Sequence, residues 1–204
     1  VYKRQVHQDV SEALNGPAYY LGWNESYVEA AYRNNPVPTT GGNQWWWYTD
    51  TYRALLQADP ADTRAALTCR TADYGTGGRR IGWTEKLMGR VDNGTRIFDS
   101  DFILYRYGEA FLMAAEARYY GKDYAGALEA LAPLAARAYG RRDYYTDTSP
   151  EAVLQAIVDE YLREMVGEGR TWWMLLRTDK IWEYSAVIAA QRDKNPNILL
   201  WPIT

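Results

Sequence analysis

The sequence predicts a mainly α-helical protein, built from tetratricopeptide-like helical pairs and overlaid by long irregular loops. Three observations predict it. From Asp99 onward, apolar residues recur at three- and four-residue spacing through successive segments, the signature of helices with one buried face. Two of those segments are joined only by Gly121-Lys122-Asp123, a connection short enough to make them antiparallel neighbours. Before Asp99 the chain is punctuated by Gly, Pro and Asn, which favour turns and loops over long elements.

Each element has its own justification. Val1-Tyr2-Lys3-Arg4-Gln5 is what a common transposon-based sequencing adapter encodes in one frame, so residues 1–5 are set aside as an assembly scar. Residues 6–98 form a loop-rich region with short helices: Gly16-Pro17, Asn34-Asn35-Pro36 and Pro38 to Asn43 are turn chemistry. Short helices are expected over Glu25–Arg33, Asp50–Gln57 and Pro60–Leu67, the last with Asp59 as cap and Pro60 in the first helical position. Leu67–Ile81 alternates weakly among Gly75, Gly77 and Gly78 and reads as strand or loop.

Residues 99–204 form the helical region, in one domain overall with what precedes it. A helix is expected from Asp99 to Gly121, capped by Asp99, Ser100 or Asp101, with Ile103, Leu104, Tyr107, Phe111, Leu112 and Ala115 on its apolar face. A second runs from Tyr124 to Tyr139 and ends at Gly140; Pro133 inside it should kink it, because the ring removes a bond to the Glu129 carbonyl. Gly121, Tyr124 and Ala127 stand about where a tetratricopeptide unit places a small residue, an aromatic and Ala. Ser149-Pro150-Glu151 opens a third helix, running to about Val166 before Gly167 and Gly169. A fourth spans Thr171–Trp182, and the tail from Lys194 is extended.

Composition narrows the function. The 204 residues carry 23 Lys plus Arg against 26 Asp plus Glu, a net charge of -3, so the basic footprint of a nucleic-acid binder is missing. With one Cys (Cys69) and one His (His7), an internal disulfide and a Cys/His zinc cluster are both impossible, and any nucleophile–histidine dyad would depend on His7. No cofactor or metal motif is present. No apolar run approaches the length of a membrane helix, and no signal peptide is visible. Tyr outnumbers Phe 18 to 3, with 9 Trp beside them. Tyr and Trp combine an apolar body with a polar tip, which suits either a core whose hydroxyls are satisfied or a wet surface that stacks flat, hydroxylated ligands.

Asp101-Phe102-Ile103-Leu104-Tyr105-Arg106-Tyr107-Gly108-Glu109, followed by Ala115-Glu116-Ala117, resembles the signature helix of the SusD/RagB family, which has Arg-Tyr-Ala-Glu and then Ala-Glu-Ala. Further elements follow in family order: Ala127 to Ala138, Ser149-Pro150-Glu151, Asp159-Glu160, Arg163-Glu164, Glu168-Gly169, Leu175-Leu176-Arg177-Thr178 and the Asn197–Ile203 stretch, with Asp59-Pro60 to Arg64 upstream. The likeness covers about residues 50–203 and resembles the C-terminal half of such a protein, so the chain reads as a gene fragment. There are departures. Asp179 stands for a Gly, Tyr161 and Leu162 for two Arg, Thr171 and Met174 for an Arg and an Asp, and Ala132 and Ala135 for an Asn and an Arg. They imply a simplified buried polar network.

The resemblance implies a nutrient-uptake protein of polysaccharide utilization: a surface-exposed outer-membrane lipoprotein that captures a glycan or oligosaccharide and delivers it, without catalysis, to a SusC-like TonB-dependent transporter. It would meet the membrane only through an N-terminal lipid anchor outside this fragment. Two other classes stay open: an α-helical glycoside hydrolase using a Glu pair, and a helical-repeat protein-interaction adaptor.

The candidate ligand-binding residues are Trp45, Trp46, Trp47 and Tyr48, with Tyr144 and Tyr145 as a second aromatic pair. Three successive indoles cannot all face one core, in a strand or in a helix, so at least one is expected at the surface, where it suits the C–H face of a sugar ring. The alternative is two in the core and one under a loop. Glu160, Glu164 and Glu168 recur every four residues, which costs stability unless cations intervene. They are read as an ion-pair network, with Arg163, Arg170 and Arg177 as available partners, against the alternative of a hydrolytic carboxylate pair. No catalytic residue is assigned. Gly75 to Arg80 is read as a loop rather than a phosphate cradle, and Cys69 as a small buried hydrophobe.

Overall fold

The structure, a computed structural model, describes residues 3–6, 19–20, 29–32, 43, 45–77, 79–93, 95–195 and 197–199. The fold is mainly helical. In chain order the elements are β1 (Lys3–Val6), a 3-10 turn (Ala30–Tyr32), α1 (Asp50–Leu56), α2 (Ala65–Thr68), β2 (Arg70–Gly75), β3 (Arg79–Trp83), β4 (Arg90–Asp92), β5 (Thr95–Ile97) and β6 (Phe102–Arg106). The helical region follows: α3 (Tyr107–Tyr120), α4 (Tyr124–Tyr139), α5 (Pro150–Glu164), α6 (Thr171–Arg177), α7 (Ile181–Tyr184) and α8 (Ala186–Ala189). The strands make three antiparallel pairs, β1 with β6, β2 with β3 and β4 with β5.

The α3–α4 hairpin forms as its sequence predicts. Asp123 caps α4 by accepting the Gly126 N–H at 3.0 Å. A methyl group on residue 126 would crowd the Asp123 carboxylate, which would have to shift to keep the cap. Gly140 closes α4 at φ 75°, donating to the Ala136 carbonyl, a left-handed cap that glycine adopts without strain. The helix runs unbroken past Pro133. Leu112 and Ala115 of α3, Ala127, Leu131 and Leu134 of α4, and Val153, Ile157, Val158 and Tyr161 of α5 bury one continuous core, which Met174 of α6 and Ile181 of α7 extend.

Four expectations give way to the structure. Phe102–Arg106 is a strand, and α3 starts at Tyr107. Arg106 is extended (φ -144°, ψ 160°), and from there its guanidinium reaches α5 and the turn after it. Pro60–Leu67 does not form one helix; Asp59 Oδ1 accepts the Ala61 N–H in a turn, Asp62 and Arg64 point inward, and only Ala65–Thr68 is helical. The Thr171–Trp182 helix divides, because Asp179 takes φ 58° and its carboxylate accepts the Trp182 indole N–H at 2.9 Å. The described residues of 67–81 fall in α2 and the β2–β3 hairpin, and of the Glu25–Arg33 segment residues 29–32 are described, with the 3-10 turn at Ala30–Tyr32. Lys194 and residues 197–199 are turns rather than extended chain, and Pro196 and the Leu200–Thr204 end lie outside the described residues.

Candidate ligand-binding site

The chain leading into α1 carries an aromatic surface. Trp45, Trp46 and Trp47 are 63%, 53% and 44% exposed. All three indoles reach solvent, so the arrangement with two in the core does not hold. The segment is fixed from its C-terminal side. Thr49 caps α1 by accepting the Tyr52 N–H at 3.2 Å. The Tyr52 hydroxyl donates to the Leu162 carbonyl of α5 at 2.7 Å. Tyr48 turns inward: its hydroxyl donates to the Thr68 carbonyl at 2.9 Å, and its ring meets Tyr52 edge-on at 5.4 Å. Burial pushes both phenols up from their ordinary pKa, so they stay neutral donors at any physiological pH. Of the predicted four, three indoles are open and Tyr48 is a half-buried anchor.

A fifth ring was not legible from spacing. Tyr20 lies 5.2 Å from Trp45 and 5.2 Å from Trp46 between ring centroids, tilted 34° and 37°. The Trp46 N–H donates to the Tyr20 carbonyl at 3.1 Å, and the Asn43 N–H to the Tyr19 carbonyl at 2.7 Å. Only the general excess of Tyr hinted at such a partner.

Tyr144 and Tyr145 belong to a different environment. Tyr144 stacks on Tyr139 at 3.6 Å and 7°, and its hydroxyl donates to Asp59 Oδ2 at 2.6 Å. Tyr145 meets both rings edge-on, and its hydroxyl donates to Glu160 Oε1 at 2.8 Å. Burial, followed by the Glu160 charge, pushes the Tyr145 phenol up. These contacts tie the pair to the core.

The Glu160, Glu164 and Glu168 series is the centre of a buried ion-pair network. Arg64 Nη1 donates to Glu160 Oε2 at 2.8 Å and to Glu164 Oε2 at 3.2 Å, while its other nitrogens hold Asp62. Arg106 donates to Glu164 Oε1 at 2.5 Å and to Glu168 Oε2 at 2.7 Å. Arg137 reaches Glu164 at 2.5 Å, and Lys86 pairs with Glu168. Burial alone would raise the Glu164 carboxyl, but Arg106, Arg137 and Arg64 hold it down at about 2. For Lys86, burial outweighs the Glu168 charge and lowers the ammonium.

The network reading of the acids agrees with this geometry, but the predicted partners do not. Arg170 pairs with Glu109 at 3.2 Å, Arg177 with Glu116 at 2.7 Å, and Arg163 donates to the Tyr139 hydroxyl at 3.2 Å and the Leu55 carbonyl at 3.4 Å. Arg64, Lys86, Arg106 and Arg137 replace them, all remote in sequence from Glu160, Glu164 and Glu168. Chemically the network suits cohesion: glycoside hydrolysis needs an accessible carboxylic acid of raised pKa, whereas Glu164 is buried and lowered.

A groove of about 370 Å³ opens between α3 and α6, lined by Tyr105, Met113, Tyr120, Tyr161 and Trp173 among others. Of the Gly75 to Arg80 stretch, Gly75 ends β2, Thr76 and Gly77 are turn, and Arg79 and Arg80 open β3. Cys69 is buried, and burial pushes its thiol up to about 11. Among the described residues no three acidic, His or Cys side chains converge to hold a metal ion, and no helix is long and apolar enough to cross a membrane.

Comparison with known proteins follows the same lines. No curated protein matches the chain. A solved structure of a SusD superfamily protein from Bacteroides fragilis NCTC 9343 is similar in fold, with a TM-score of 0.67 and 24% identity over 84% of this chain. This chain spans 39% of the length of that protein. The model of the SusD family matches residues 83–198, from the end of β3 to the turns beyond α8. That is more than half of the 204 residues, and the chain belongs to the SusD family.

Proposed function

We propose that this chain is part of a cell-surface protein that binds glycans and passes them to a SusC-like TonB-dependent outer-membrane transporter, without covalent chemistry. The single observation that carries the reading is the run of exposed indoles at Trp45, Trp46 and Trp47 in a SusD-family chain. Exposed indole faces stack on the apolar faces of sugar rings, while the ring hydroxyls find polar partners nearby. Large exposed aromatics are costly to leave in water, so three in a row call for a ligand. Family membership supports the same reading, because SusD-like proteins are in general non-catalytic glycan-binding lipoproteins of the outer membrane. The protein would thus be a surface-exposed lipoprotein anchored through a lipid outside these 204 residues.

The test is affinity electrophoresis of the whole protein of which this chain is part, through gels holding amylopectin, arabinoxylan, xyloglucan, pectin or mucin glycans. Retardation by at least one polysaccharide is expected, released from the gel unchanged in chain length. Trp45→Ala, Trp46→Ala and Trp47→Ala should each reduce it. Retardation by none of them, or retardation that ignores all three substitutions, overturns the reading. Co-purification of a large TonB-dependent barrel with the protein from detergent-solubilised outer membranes tests the transporter.

A further inference from the structure

The indoles do not stand alone: a chain of ring contacts runs from the interior to the surface beneath them. Phe98 is 2% exposed and packs with Met88 in a small core of its own. Tyr19 meets Phe98 edge-on at 5.4 Å and 76°. Tyr20 meets Tyr19 edge-on at 5.5 Å and 68°, and then touches both Trp45 and Trp46 at 5.2 Å. The two backbone bonds from Asn43 and Trp46 to the Tyr19 and Tyr20 carbonyls tie the same two segments together.

This geometry answers a physical problem. Adjacent residues in irregular chain point in different directions, and an exposed indole samples several rotamers. Ordering it on binding costs free energy for each side chain immobilised, which a rigid, prearranged surface avoids. One ring in contact with both indoles removes that freedom before any ligand arrives. Each aromatic contact adds attraction beyond its buried area.

We infer that Tyr20 is a positioning residue: mounted on Phe98 through Tyr19, it holds the Trp45 and Trp46 indoles as a preformed double platform for adjoining rings of one polysaccharide chain. The inference rests on the glycan-binding reading above for its purpose, and on the ring geometry for its existence.

The experiment separates the two. The whole protein of which this chain is part is labelled with 5-fluorotryptophan, and the Trp45 and Trp46 resonances are assigned by Trp45→Phe and Trp46→Phe. Tyr20→Ala and Tyr20→Leu are compared with Tyr20→Phe, which keeps the ring. In Ala and Leu variants both resonances should move and sharpen toward free tryptophan, while Tyr20→Phe leaves them in place. Affinity for whichever of the five polysaccharides binds best should fall about tenfold in Ala and Leu and be restored in Phe. Resonances that stay put in both variants overturn the mount, whatever happens to binding. Resonances that move while affinity holds overturn its role. Binding that ignores Trp45→Ala and Trp46→Ala overturns the glycan platform itself and leaves the fluorine result to decide the mount. The Leu variant covers the case in which Ala fails to fold.

Discussion

Arg64 and Glu160, 96 residues apart, face each other as a fork on a fork, with Nη1 on Oε2 at 2.8 Å and Nη2 on Oε1 at 3.1 Å and the carboxylate fully buried. The pair joins the turn ahead of α2 to the middle of α5, and the Tyr139 hydroxyl, at 2.5 Å from Glu160 Oε1, adds α4. Planar guanidinium is the one cation that satisfies both oxygens and still spares nitrogens for Asp62.

Removing one partner of such a pair leaves a buried charge uncompensated. Arg64→Met should lower unfolding free energy by about 3–5 kcal/mol, read from urea denaturation. Arg64→Lys should recover little of it, since an ammonium cannot reproduce the fork. A Lys variant as stable as the parent would show that charge alone matters here.

Acid should unfold the protein through Glu164. Its pKa is depressed in the folded state, from the ordinary 4.5 to about 2. Its contribution is therefore complete above about pH 4.5 and is lost as pH falls toward 2, a linkage of roughly 3 kcal/mol. Melting temperature against pH should drop steeply in that window. Glu164→Gln should start lower at pH 7 and show a shallower drop. A parallel pair of curves would mean another carboxylate carries the acid sensitivity.

The same substitution bears on hydrolysis. Glu164 and Glu160 are held by arginines out of solvent, so Glu164→Gln should change stability and leave no polysaccharide turnover to lose. Reducing-sugar release by the parent that disappears in Glu164→Gln would reverse the non-catalytic reading.

Tyr145→Phe deletes one hydroxyl donor to a buried carboxylate and keeps the ring. A loss of about 1.5–3 kcal/mol is expected in urea denaturation, with polysaccharide retardation unchanged, because that hydroxyl is committed to Glu160. Weakened retardation at unchanged stability would return Tyr145 to the ligand surface.

The α4 cap can be dissected by a cycle. Gly126→Ala forces a methyl against the Asp123 carboxylate and should cost about 0.5–2 kcal/mol, the value of an N-cap. In an Asp123→Ala background the same change should stabilise by up to about 1 kcal/mol, because Ala is the better helix former. Additive effects would show that the cap does not depend on the glycine.

Much of this was written locally. The α3–α4 hairpin follows from apolar spacing, a three-residue connection and Gly140, all of which act within one helical turn of the residues concerned. Ser149-Pro150 marks the start of α5 for the same reason. That at least one of the tryptophans reaches solvent follows from covalent geometry, since neighbouring side chains diverge; that all three do came with the folded chain. Where the reading failed, two local answers were equally good. Ile103 and Leu104 fit a helix face or a strand, and the Arg106 contacts to Glu164 and Glu168 settle it as strand.

The family, the main helices and the presence of a buried acid cluster were thus inherent in the order of residues, because each rests on nearest-neighbour geometry or on an ordered series of short patterns. Which cations meet those acids, which tyrosine lies between the indoles, and that Tyr145 faces Glu160 came only with the folded chain. Those relationships join segments remote in sequence, and a pair interaction leaves no mark on the spacing of either partner.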